Sequence, residues 1–237
     1  MTPLLMREFS IAFGNKDLGQ MAYLFRRYVP MLYSIAAYFA CFIAFQAEKV
    51  IYIFGGIKYK EAAMVITIMA FFPIHQTYGQ LCSSVFYSTG QTSLYRNIGV
   101  LFLLIGLPVT YFLIAPVDKW GLNAGATGLA IKMIILQFIG VNVQLYFISR
   151  YLKFSFWKYL GHQILCVVCF LMLAAVSSFG TEILFKNNNI ILNFILAGMG
   201  YTFTAFVLAC YLPDLVGLTR QDFTLIIQKC KNSTIRR

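Results

Sequence analysis

Charged side chains are scarce in this chain: Asp, Glu, Lys and Arg make up 11% of its 237 residues, against about a quarter in soluble domains. Acid is the scarcer sign, with 8 Asp and Glu against 19 Lys and Arg. Most of the carboxylates (Glu8, Asp17, Glu48, Glu61, Asp118, Glu182, Asp214, Asp222) fall in loops or at the ends of apolar stretches. Paired carboxylates for acid–base work therefore cannot be assembled within the apolar spans. Histidine is almost missing, with only His75 and His162, and no H-E-x-x-H, G-x-S-x-G or P-loop pattern occurs. No enzyme activity, cofactor or metal is expected. The first 13 residues carry Arg7 and Glu8 and no small-residue cleavage site, so no cleavable signal peptide is expected.

Cysteine carries no framework either. Cys41, Cys82, Cys166, Cys169 and Cys210 lie in or at the ends of apolar stretches, and Cys230 lies near the C-terminus. The Cys166–Cys169 pair has C-x-x-C spacing but sits mid-stretch, without a thioredoxin-like context. These thiols are expected to be packing groups. Strict polar–apolar alternation over short segments, the mark of a β-barrel, is also missing.

What remains is apolar: 60% of the residues are hydrophobic. A soluble core cannot hide that much apolar surface, so lipid must serve as part of the solvent. Six stretches are long enough to cross a hydrocarbon layer of about 30 Å, which takes about 20 helical residues. They cover 29–54, 62–86, 98–115, 124–148, 159–179 and 190–212. Backbone groups in lipid must bond internally, so these spans are helices. The expected fold is all-α, a polytopic membrane helical bundle of about six transmembrane helices. Residues 1–28 form a cytoplasmic helix end with an amphipathic segment, 29–212 the bundle, and 213–237 a basic amphipathic tail.

Gly55-Gly56, Thr89-Gly90, Pro116 with Asp118, and Asn187-Asn188-Asn189 supply turn chemistry between spans. An even number of spans puts both termini on one side. That side would hold Arg7, Lys16, Arg26, Arg27, Arg96, Arg150, Lys153, Lys158 and the basic residues of the tail, against Lys49, Lys58, Lys60, Lys119 and Lys186 on the other. The positive-inside rule then makes both termini cytoplasmic, in the cell (inner) membrane. The net charge of +11 reads as loops held at an anionic leaflet, with no nucleic-acid partner, because no compact domain remains to present a basic patch. Leu18, Met21, Ala22 and Phe25 form the apolar side of an amphipathic segment on the cytoplasmic face. Phe223, Ile226, Ile227 and Cys230 repeat that pattern in the tail after a capped start at Thr219. The acceptor triplet Asn232-Ser233-Thr234 would stay unmodified on a cytoplasmic tail.

Polar residues at membrane depth are the informative ones. In the second span, Gln76, Gln80, Ser83 and Tyr87 recur at i, i+4, i+7 and i+11 and share one helical face. His75 and Gly79 flank that face, and Pro73 kinks the helix just before it. The face either lines a water-filled cavity for a polar substrate or bonds to neighbouring helices. The fourth span carries Lys132 with Gly125 and Gly128 on one side, and Gln137 and Gln144 on another. Lys132 either attracts a phosphate or anionic sugar in a cavity or snorkels to the interface. His162 reads as interfacial. The expected cavity-lining set is His75, Gln76, Gln80, Ser83, Tyr87, Lys132 and Gln137.

Four segments resemble a known family. Phe54-Gly55-Gly56-Ile57-Lys58-Tyr59-Lys60-Glu61-Ala62-Ala63 resembles the "fG-x-x-Y-x-x-A" turn in the C-terminal half of polysaccharide exporters. Tyr87-Ser88-Thr89-Gly90-Gln91-Thr92 is similar to their "l-x-a-t-G-(R/Q)-t", and the run from Gly121 to Ala130 to their "yG-a-x-G-a-A". Pro3 with Arg7 and the following basic stretch resembles their "P-x-x-s-r" helix end and cytoplasmic loop. Together these cover about residues 2–153, and Lys132 departs from the family's apolar pattern. The resemblance is to flippases of the multidrug/oligosaccharidyl-lipid/polysaccharide exporter superfamily, C-terminal lobe only. It implies transport of lipid-linked oligosaccharide repeat units by alternating access between two six-helix lobes. It further implies a fragment that needs the missing N-terminal lobe or a second subunit, alongside membrane lipid and glycan-assembly proteins as partners. A multidrug or small-solute exporter of the same fold, and a non-transporting membrane subunit or enzyme of glycan assembly, are the alternatives. A flippase cavity should be wide and cationic, whereas a drug exporter favours aromatic surfaces with a buried carboxylate.

Overall fold

The computed structural model describes residues 2–184 and 189–217. The tail helix expected after Thr219, the 232–234 triplet and the 185–188 turn lie outside the described residues. The described residues are predominantly helical, with no strand among them. Nine α-helices follow in order: α1 (Thr2–Gly14), α2 (Leu18–Phe45), α3 (Ala47–Gly55), α4 (Ala63–Met69), α5 (Phe72–Ser88), α6 (Thr92–Ile114), α7 (Gly125–Tyr151), α8 (Phe156–Leu184) and α9 (Ile190–Tyr211). Five of them, α2 and α6–α9, are long and apolar enough to cross a membrane.

Two expected spans are interrupted. The first runs as α2 and then α3, with the break at Gln46, whose buried side chain leaves the helix axis to bond Ser178 Oγ on α8 at 2.6 Å. The second divides into α4 and α5 around Ala70–Phe71. Pro73 explains this break: it has no N–H for the Met69 carbonyl, and its ring would clash there, so α4 stops at Met69. The count of six continuous crossings therefore becomes five, plus a broken pair.

The segment expected to lie on the cytoplasmic face is instead the start of α2. The Asp17 carboxylate caps it, accepting from the Gln20 N–H at 2.8 Å. Its apolar side is covered by protein: Met21, Ala22 and Phe25 are buried with Leu5, Phe9 and Ala12 of α1 in one core cluster. The Phe25 ring stacks on Phe154 at 5.1 Å and meets the edge of Tyr159 at 5.7 Å.

The helices pack as a row with α2 at its centre. On one side come α5, with α1 against it, then α7, with α4 against it, then α6; on the other come α8 and α9. Between α6 and α7 the chain turns tightly: Leu122 and Ala124 donate to the carbonyls of Phe112 and Leu113. Gly121 is required in that turn, since a Cβ would collide with the Ala115 backbone carbonyl. After α9, a 3₁₀ turn (Pro213–Val216) tucks back onto α2. The buried Leu215 offers its carbonyl to Ser34 Oγ and to His162 Nε2–H, both at 2.8 Å.

Large apolar side chains stay exposed along the outward sides of the row: Leu103, Leu104 and Leu107 on α6, Ile164, Met172 and Val176 on α8, Met199, Phe203 and Phe206 on α9. Such a surface is stable only against acyl chains or another apolar protein surface. Helices α2, α6 and α8 start, and α5 and α7 finish, at the end of the row that carries Lys16, Arg26, Arg27, Arg96, Arg150, Lys153 and Lys158. At the other end, Lys49, Lys58, Lys60 and Lys119 are balanced by Glu48, Glu61, Asp118 and Glu182.

Candidate substrate-facing site

Helix α5 has two unlike sides. Ile74, Tyr78, Leu81, Cys82, Val85 and Phe86 are buried against α1, α2 and α7. Gln76, Gln80 and Tyr87 lie on the opposite side and are exposed, and Ser83 between them is half-buried. Ser83 Oγ donates to the Gln80 carbonyl of its own helix at 2.8 Å. Tyr87 meets Tyr95 of α6 edge-on at 5.4 Å. The four stripe residues expected to share a face do share it; α6 meets its Tyr87 end, and Gln76 and Gln80 stay exposed.

The other expected site residues separate from it. His75 is buried, with its ring edge-on to Phe138 of α7 at 5.2 Å and its Nδ1 without a hydrogen-bond partner. Gln137 lies in the α5–α7 seam: a Cβ on Gly79 would stand 3.6 Å from Gln137 Nε2 and 3.1 Å from Val141 Cγ2. Lys132 turns to α6 instead. Its Cε and Nζ lie where Gly106 leaves room, each 3.6 Å from the place a Cβ would take. Residues 132 and 137 are about 140° apart around a helix of 3.6 residues per turn, so Gln137 and Lys132 serve different seams. Among the described residues no carboxylate pairs with Lys132.

A second polar constellation holds the centre of the molecule. Asn142 of α7 and Gln163 of α8 exchange both amide bonds, at 3.3 and 3.2 Å, and both side chains are buried. The Tyr33 hydroxyl donates to the Gln163 carbonyl at 3.3 Å, and Cys166 Sγ donates to Ser34 Oγ at 3.4 Å. This amide clamp escaped the sequence reading, although amides at membrane depth were the signal for it. His162, expected at the interface, is half-buried against the Tyr33 ring and anchors the turn after α9.

Chemically, the arrangement offers hydrogen-bonding amides and hydroxyls on an open face, with one unpaired ammonium beside α6. No cluster of His, Cys, Asp and Glu suited to a metal ion occurs among the described residues. No family model, curated protein or solved structure matches the chain. Fold and composition together define an all-helical, multi-pass membrane protein.

Proposed function

We propose that this chain is one lobe of an alternating-access flippase that moves lipid-linked oligosaccharide across the cell (inner) membrane, and that it carries no enzymatic activity. The observation behind this reading is the Gln76–Gln80–Ser83–Tyr87 face of α5, whose two amides stay exposed. Amides facing acyl chains are unfavourable, so that face needs water and a second helical lobe or subunit across from it. Alternating access likewise requires two bundles that rock about a shared site. In this reading α4 and α5 make one broken crossing, the sixth, as interrupted helices do around transport sites. Lys132 is the cation for the phosphate that links sugar to lipid, reached at the α6–α7 seam. The basic end of the row faces the cytoplasm. A small-solute exporter with a carboxylate inside the bundle is less well supported, because Glu48, Glu61, Asp118, Glu182 and Asp214 sit at helix ends or in turns.

Three measurements test this. With native cysteines removed, a thiol at position 76 or 80 should react with a water-soluble maleimide in native membranes; inert thiols at both would place the stripe in lipid. An impermeant external reagent should label a cysteine at position 58 and spare one at 96, and the reverse pattern would invert the topology. Finally, vesicles holding this chain alone should move a labelled lipid-linked oligosaccharide no faster than empty vesicles. Flipping above that background would remove the need for a second lobe.

A further inference from the structure

At the charge-balanced end of the row, α3, the 3₁₀ turn after it (Ile57–Ala62) and the start of α9 enclose a recess of about 440 Å³. That volume lies within the usual range for small-molecule sites. Its lining is apolar at the buried Ile51, at Ile190 and at the exposed Ile57, with Tyr52 beside them, and it also carries Glu48, Lys49 and Lys60. Lys49 is already engaged, its ammonium 3.3 Å from a Glu182 carboxylate oxygen. Lys60 and Glu48 have no ion-pair partner among the described residues. Among the described residues, the recess thus presents one free ammonium and one free carboxylate beside an apolar lining.

We infer that this recess binds the phosphoethanolamine headgroup of a membrane lipid. A lone anion would gain Lys60 but face Glu48, and a lone cation would meet the opposite conflict. A ligand bearing both signs a few atoms apart satisfies both groups, and a zwitterionic headgroup, with its phosphate and ammonium joined through two methylenes, does so at the depth where the helices leave the hydrocarbon. The phosphate pairs with Lys60 through charge-assisted hydrogen bonds. The primary ammonium donates its N–H groups to Glu48, which a quaternary choline cannot do. The glycerol and upper acyl carbons continue over Ile51, Ile57 and Ile190. This inference needs the membrane but does not depend on what the chain transports.

The test uses the full chain in nanodiscs holding equal amounts of phosphatidylethanolamine, phosphatidylcholine and phosphatidylglycerol, with retained lipids read by native mass spectrometry. The ethanolamine lipid should be retained about tenfold over the choline lipid, a ratio that corresponds to about 1.4 kcal/mol. Lys60→Glu and Glu48→Gln, both at exposed positions, should each bring that ratio close to one while leaving the unfolding temperature unchanged. Soluble phosphoethanolamine should displace the lipid only at much higher concentration, since it lacks the tails that cover the apolar lining. Equal retention of ethanolamine and choline lipids, a preference for phosphatidylglycerol, undiminished selectivity in Lys60→Glu, or displacement by equimolar soluble headgroup would each overturn the assignment.

Discussion

The two sides of α2 differ in where most of their polar groups find partners. Toward α8 and α9, many polar side chains close on another element: Gln46 on Ser178, Ser34 on the Leu215 carbonyl, Ser177 on the Ala197 carbonyl, Tyr201 on the Tyr38 carbonyl, and Tyr38 with Thr202, while Thr181 and Thr204 bond within their own helices. Toward α5, α6 and α7, many turn back on their own helix, as Ser83 and Ser84 do to Gln80, Thr89 to Val85, and Thr110 to Gly106. Others find no partner: His75 Nδ1, the Tyr78 hydroxyl and Gln144 Oε1 are buried and unbonded. In lipid, interhelical hydrogen bonds are glue. The α8–α9 side is therefore a closed scaffold, and the α5–α7 side keeps hydrogen-bonding capacity in reserve.

Substitutions can break or sharpen that contrast. The largest loss is expected where the open side nevertheless packs closely. Gly79→Leu forces a side chain into the seam where even a Cβ stands 3.1 Å from Val141; it should cost about 3 kcal/mol, read as a lowered unfolding temperature in detergent. A neutral outcome would mean that α5 and α7 do not touch there. Next comes the clamp joining the two sides. Gln163→Leu strands the buried Asn142 amide and should cost about 1–2 kcal/mol by the same measurement.

Two tyrosines then separate the sides by sign. Tyr201→Phe removes a made hydrogen bond and should destabilise by about 0.5–1 kcal/mol. Tyr78→Phe removes a buried hydroxyl without a partner and should be neutral or stabilising. Equal losses at both would erase the contrast. Smallest in stability are the open-face changes. Gln76→Leu with Gln80→Leu should shift stability by less than about 0.5 kcal/mol, yet abolish glycan export in cells. Lys132→Met should insert normally and impair export. Unchanged export in either variant would remove those side chains from the substrate path.

Several of these features were legible in the residues alone. The helix-forming apolar runs were, and so was the stripe on α5, because a period of 3.6 fixes which residues share a face whatever packs around them. The break before α5 followed from Pro73. Gln46 was not legible as a break: nothing local ends a helix there, and the bond to Ser178, 132 positions away, is what draws it aside. The start of α2 misled for a related reason. An amphipathic side reads the same whether lipid or protein covers it, and here α1 and Phe154 do the covering.

The same limit divides the candidate residues. Spacing placed Gln76, Gln80, Ser83 and Tyr87 together because they lie on one helix. It placed Lys132 in that company only by depth, and depth ignores rotation about the axis. Once α7 is seated between α5 and α6, Gln137 turns to Gly79 and Lys132 to Gly106. Hydropathy and helical period were enough for an all-helical membrane chain with a basic end, since those properties add up residue by residue along the chain. Which polar groups close on partners, and which stay open, depended on how the helices are seated. A hydrogen bond between helices needs two side chains brought within about 3 Å, and no single segment contains both.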